Sequence, residues 1–170
     1  GISKLDAKAL VIWPVVIERP LDVLPELRAD IKPYLRCFEL AKNEGTPVAK
    51  EEKRIQLTKT GKFNRGTLGL KLLESYEDDA VDDQSLLKAV ALIRSGPLMV
   101  VEYMGIGGTQ KANFVGVFQS HTEAERALRL SEPPAHNKWD HTCDRLGLAL
   151  GTGEITLDER NLVKSVLSSV

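Results

Sequence analysis

Apolar and polar positions alternate along two stretches of the chain and recur at helical spacing along several others. Residues 54–59 alternate, with Ile55 and Leu57 between polar neighbours, and Leu68, Leu70 and Leu72 alternate on the return. The turn formers Gly61, Asn64 and Gly66 lie between them, so residues 54–73 are predicted to form a hairpin. A second hairpin is predicted from the apolar runs 98–104 and 113–119, with Gly105, Gly107 and Gly108 in its loop. Residues 9–17 form the longest apolar run and are predicted to be a strand, which Pro14 places at an edge or a bulge.

Helical spacing begins at Pro25, a residue suited to a first helical turn, and continues through Leu27, Ile31, Leu35 and Phe38. Pro33 predicts a kink there, and Gly45 a stop. Leu86, Leu87, Val90 and Ile93 predict a helix over residues 83–95, with Asp82 and Asp83 at its positive end and Gly96 and Pro97 beyond it. Thr122 with Glu125 reads as a capping box opening a helix that stops before Pro133. A short helix over 140–149 and a last one from 157, capped by Thr156 and Glu159, complete the pattern. Hairpins mixed with helices predict an α+β fold. Its sheet is largely antiparallel, built from the two hairpins plus the N-terminal strand, with helices packed on one face.

The 170 residues suit a single domain over 1–170. With 23 Lys and Arg against 24 Asp and Glu, the net charge of −1 gives no global pull toward nucleic acid or membrane. The apolar run 9–17 is far short of the roughly 20 residues that span a bilayer. Cys37 and Cys143 lie 106 positions apart and form no disulfide framework, so a reducing cytoplasmic setting is expected. The chain begins with Gly1 and ends in a helical pattern with no stop signal, which reads as a domain excised from a longer protein. The apolar face of Leu162, Val163, Val166 and Val170 is then the expected docking face.

Candidate chemistry concentrates in one window. All three histidines and Cys143 fall within the 23 residues from His121 to Cys143. His136, Asp140, His141 and Cys143 are the candidates for a metal-dependent hydrolytic site in the window 136–144. Helical geometry opposes it, because His136 and His141 would be rotated about 140° apart and His141 and Cys143 would face nearly opposite ways. Only irregular backbone after Pro133 and Pro134 brings them together. Asp140 and Asp144 share a helical face and could act as acid and base, although such pairs are common on solvated faces. The competing reading has Pro133, Pro134 and Trp139 packing a loop on the core, with no metal or other cofactor.

A second candidate surface is basic. From Lys53 to Leu73 there are six cations and no acid, with Phe63 at the turn. The hairpin 53–71, through Lys59, Lys62 and Arg65, could contact a nucleic-acid backbone. Six acids follow, from Glu74 to Asp83, and they could pair with the hairpin and cancel its field.

Residues 91–103, 116–118 and 131–136 resemble segments that follow the nucleotide-binding domain in some bacterial GHKL-type ATPases. The superfamily's own ATP-binding motifs are not here. The resemblance implies a domain downstream of an ATPase module, with Arg94 a candidate to approach nucleotide across the domain interface. Charge balance, the absence of spaced catalytic motifs and the chain ends favour an interaction or regulatory domain. Its expected partners are neighbouring domains of a parent chain or another protein.

Overall fold

The computed structural model describes residues 10–12, 15–17, 25–42, 46–57, 63–74, 86–95, 100–107 and 112–170, with side chains of the first helix described from Lys32 onward. Lys59, Lys62 and the acids of 75–85 lie outside the described residues.

β1 (Leu10–Ile12) and β2 (Val15–Ile17) pair antiparallel as a two-stranded sheet of their own. The single strand expected over 9–17 is therefore two short ones, in register as Leu10 with Ile17 and Ile12 with Val15. The main sheet has five strands in the order β3-β4-β7-β5-β6. These are β3 (Glu52–Leu57), β4 (Gly66–Leu72), β5 (Ala89–Ile93), β6 (Val100–Gly105) and β7 (Phe114–Ser120). Among the described residues only β5 and β7 run parallel, and the other pairings are antiparallel. The fold class is α+β, as expected, and the first hairpin forms as β3 and β4.

Two expectations about the main sheet fail. Residues 89–93 are a strand, not the middle of a helix. The predicted hairpin of 98–104 with 113–119 does not pair, because β5 lies between β6 and β7. The cause is one stretch of sequence. All five residues of β5 are buried, so it carries no alternation, and a short apolar run cannot be told from a buried helix by period.

Helices cover both faces of the sheet, not one. α1 (Pro25–Ala41) lies on the first face, where Tyr34, Cys37 and Ala41 pack on Ala91, Ile93, Val115 and Val117. Its buried side is rotated from the predicted one, with Leu35 and Phe38 only partly buried. Pro33 sits inside this helix without ending it. Gly69 makes the close approach possible, since a Cβ there would lie against the Cys37 carbonyl.

On the other face pack α2 (Thr122–Leu130), α3 (Asp144–Gly151) and α4 (Leu157–Leu167). Leu68, Val90, Leu92, Phe114 and Phe118 meet Leu128, Leu146, Leu162, Val163 and Val166 there. Leu162, Val163 and Val166 have no exposed surface, so the face of α4 read as a docking surface is core. The capping box at α4 forms: Glu159 N donates to Thr156 Oγ1 at 3.2 Å, and Thr156 N to Glu159 Oε2 at 2.8 Å. At α2 the cap is His121 instead of Thr122; its Nδ1 accepts from Glu123 N at 3.2 Å. Glu125 is engaged elsewhere. Among the described residues no helix is long and apolar enough to cross a membrane.

Candidate functional site

β5 and β7 run parallel, so their carboxyl ends lie side by side, the usual location of ligand crevices in sheets with parallel strands. Arg94 and Ser95 follow β5, Ser120 ends β7, and α2 presents Glu125 to all three. Arg94 Nε donates to Glu125 Oε1 at 3.0 Å. Ser95 donates to Glu125 Oε2 from its backbone N at 3.1 Å and from its hydroxyl at 2.9 Å. Burial works against ionisation of Glu125, but the Arg94 and Ser95 hydrogen bonds outweigh it and hold the carboxyl below its ordinary range.

Arg94 also reaches the turn after α2, where its Nη1 lies 3.2 Å from Glu132 Oε2. Glu132 is 0% exposed. A carboxylate so placed needs charge and hydrogen-bond partners, and it has three. Besides Arg94, Trp139 Nε1 donates to Oε1 at 3.3 Å, and His136 Nδ1 lies 2.8 Å from Oε2. Trp139 stacks edge-on to Phe118 with centroids 6.1 Å apart, which ties the network to the core. The Glu132 carbonyl accepts from Arg145 Nη1 at 3.3 Å and faces Cys143 Sγ at 3.7 Å. His136 itself sits at φ +51 with its side chain 52% exposed. A carboxylate on Nδ1 orients the imidazole and leaves Nε2 without a partner from Glu132.

The predicted window residues do not converge. Asp140 Oδ1 accepts from the Thr142 hydroxyl at 2.6 Å and backbone N at 2.9 Å, and Oδ2 pairs with Lys138 at 3.1 Å. These contacts, led by the Thr142 hydroxyl, lower its carboxyl to about 2. His141 is exposed, and Cys143 caps α3 with no side-chain hydrogen bond to the helix. Among the described residues no group of three or more His, Cys, Asp or Glu is placed to hold a metal ion. Asp144 begins α3 while Asp140 precedes it, so the two do not share a helical face. Of the window residues, His136 joins the network, and Glu132, Glu125 and Trp139 are the members that sequence reasoning missed. The Glu132/His136 spacing of four was visible, but no helix predicted contact across it, because a turn and not a helix brings them together.

Arg94 lies within this network, its guanidinium held by two carboxylates and its side chain 13% exposed. Of the basic hairpin's candidates, only Arg65 is described, and its Nη1 donates to Ser169 Oγ.

A second region differs in kind. Helices α2–α4 cover the β4, β7 and β5 part of their face but leave its β3–β4 side partly open. Ile55 is 39% and Leu72 44% exposed there. A cavity of about 320 Å³ opens beside them, lined by Leu68, Leu70, Leu72, Ile106, Phe114 and Val170, with Glu51, Lys53 and Lys71. Behind this half of the sheet, Glu52 accepts from Arg36 Nε and Nη2, each at 2.8 Å. The Arg36 hydrogen bonds lower the Glu52 carboxyl to about 2.

No protein family, curated protein or solved structure matches this chain.

Proposed function

We propose that this chain is an interaction or regulatory domain, not a free-standing enzyme, and that the β3–β4 half of its sheet is the face it presents to a protein partner or neighbouring domain. The observation that carries this is the apolar opening at Ile55 and Leu72, beside a cavity with apolar walls. Exposed apolar side chains continuous with an apolar cavity are the kind of surface that docking uses. The polar network supports the same reading, because Arg94, Glu125, Glu132 and Trp139 satisfy one another inside the domain. In this reading the resemblance to segments downstream of a bacterial GHKL-type nucleotide-binding domain names the partner as an ATPase module of a cytoplasmic protein. Two of the resembling segments meet in the fold, through Arg94 and Glu132.

The test is a photo-crosslinking side chain at position 55, in the cell that makes the chain. A discrete crosslinked protein is expected from position 55 and only background from exposed Arg126 on α2. Equal yields at both positions, or none at 55, overturn the reading.

One observation favours a second reading, acid–base chemistry at His136: a buried carboxylate lies 2.8 Å from Nδ1 of a half-exposed imidazole. A turnover of activated esters that is lost in a folded His136→Gln variant supports it. Unchanged turnover ends it.

A further inference from the structure

β3 is one edge of the five-stranded sheet. Its ladder with β4 is regular over all six residues, from Glu52 opposite Lys71 to Leu57 opposite Gly66. Leu72 N donates to Glu51 O at 2.9 Å, which makes that pair a hydrogen-bonded one. Antiparallel pairs alternate between hydrogen-bonded and non-hydrogen-bonded, so Lys53, Ile55 and Leu57 turn their amides and carbonyls toward β4. Glu52, Arg54 and Gln56 turn theirs away from it. Glu52 N then bonds to Ala49 O at 3.1 Å, in the turn before the strand. The outward groups of Arg54 and Gln56 lie along the open edge, and the Gln56 side chain is exposed. The opposite edge strand, β6, has an irregular register between Leu92 and Ile93 of its partner.

The side chains along the β3 edge set what could pair there. Ile55, opposite Leu68, and Leu57 stand on the face covered by α2–α4, Ile55 beside the apolar cavity and Leu57 packed at the core's margin. The charge is basic. From Lys53 to Leu73 the hairpin carries cations alone, and the acids at its base are paired, Glu51 with Lys50 at 3.6 Å and Glu52 with Arg36 at 2.8 Å.

We propose that the β3 edge takes an extended segment of a partner protein as an added strand, with apolar side chains on the face of Ile55 and Leu57 and acidic ones on the opposite face, toward Arg54, whose Nε donates to Leu40 O at 3.1 Å. Main-chain hydrogen bonds to Arg54 and Gln56 would supply affinity, and the alternating pattern specificity. The inference rests on the β3–β4 face being the docking face, and names the chemistry of its partner. A lysine on a strand edge also guards against unwanted pairing.

The experiment uses residue-resolved amide exchange on the full chain with three probes. They are a short capped peptide of alternating valine and glutamate, its valine–lysine counterpart, and the glutamate peptide N-methylated on its pairing side. The glutamate peptide is expected to slow exchange at Arg54 and Gln56 at least about tenfold at saturation, the equivalent of about 1.4 kcal/mol. The Ile55 amide, already facing β4, is expected to change little, and the other two peptides to do nothing. Equal protection by the lysine peptide overturns the charge assignment and with it the proposal. No protection from the glutamate peptide overturns strand addition. If position 55 still crosslinks a partner in that case, the docking face stands and only its mode of pairing is wrong.

Discussion

His136 Nδ1 lies 2.8 Å from Oε2 of Glu132, a half-exposed imidazole fastened to a carboxylate with no exposed surface. The pair closes the turn after α2, and Arg94 and Trp139 attach that turn to the end of β5 and to the core. Glu132 is therefore the hub of the polar side of the domain. Replacing Glu132 with Ala leaves Arg94 without one of its two carboxylates in a nearly buried site. The expected loss is about 3–5 kcal/mol, the usual consequence of breaking a buried pair, measured by chemical unfolding. A loss under about 1 kcal/mol, the range of an exposed pair, would show that the network is not what holds the turn.

His136 adopts φ +51, which carries a conformational cost of about 1–2 kcal/mol for residues with a Cβ. His136→Gly relieves that cost while losing the Glu132 contact. His136→Ala loses the contact and keeps the cost. The glycine variant is expected to be the more stable of the two by unfolding midpoint; the reverse order would mean that the turn relaxes when the histidine is gone.

Arg36 and Glu52 join α1 to β3. The Glu52 carboxyl is held at about 2, below its ordinary value of 4.5, chiefly by the Arg36 hydrogen bonds. A depressed folded-state value stabilises the fold above the unfolded value, and that contribution is lost as pH falls. Stability is expected to decline between about pH 4.5 and about pH 2 in the wild type. In Glu52→Gln this decline should be shallower, read as the pH dependence of the unfolding free energy. Parallel curves would remove Glu52 from the account of acid sensitivity.

Gly69 is the contact point of β4 with α1, and a Cβ there meets the Cys37 carbonyl and the Leu40 side chain. Gly69→Ala is expected to cost about 1–3 kcal/mol, the range for overpacking a well-filled site. A cost near zero in thermal unfolding would indicate that α1 can shift outward without loss.

The elements legible in the sequence were those with a clear period or a local motif. Leu68, Leu70 and Leu72 alternate, so the first hairpin was visible, as was the Thr156 and Glu159 cap of α4. β5 was not, because Val90, Leu92, Ala91 and Ile93 are buried on both faces and erase the alternation. Misreading β5 as helix also hid the β5–β7 parallel pair, and with it the strand-end cluster of Arg94, Ser120 and Glu125. Thr122 and Glu125 matched a capping box, but the Arg94 guanidinium competes for that glutamate from the next strand. A local motif lost to a tertiary ion pair. Of the histidines and cysteine in the window from His121 to Cys143, His136 joins the network, whose hub is Glu132, held by contacts that depend on a turn.

The last helix gave the opposite lesson. Leu162, Val163 and Val166 read as a free face and are core. Val166→Lys is expected to unfold the domain or lower its stability by several kcal/mol, since it buries an unpaired charge. A folded, equally stable variant would return that face to the surface.

The docking face is tested most directly by the crosslinking yield from position 53 in the wild type and in an Ile55→Glu, Leu72→Glu background. The two residues are 39% and 44% exposed, so the account predicts a folded variant that loses no more than about 3 kcal/mol of stability together with loss of the crosslinked partner. An unchanged yield in the folded double variant, or a collapse of the fold itself, would contradict it.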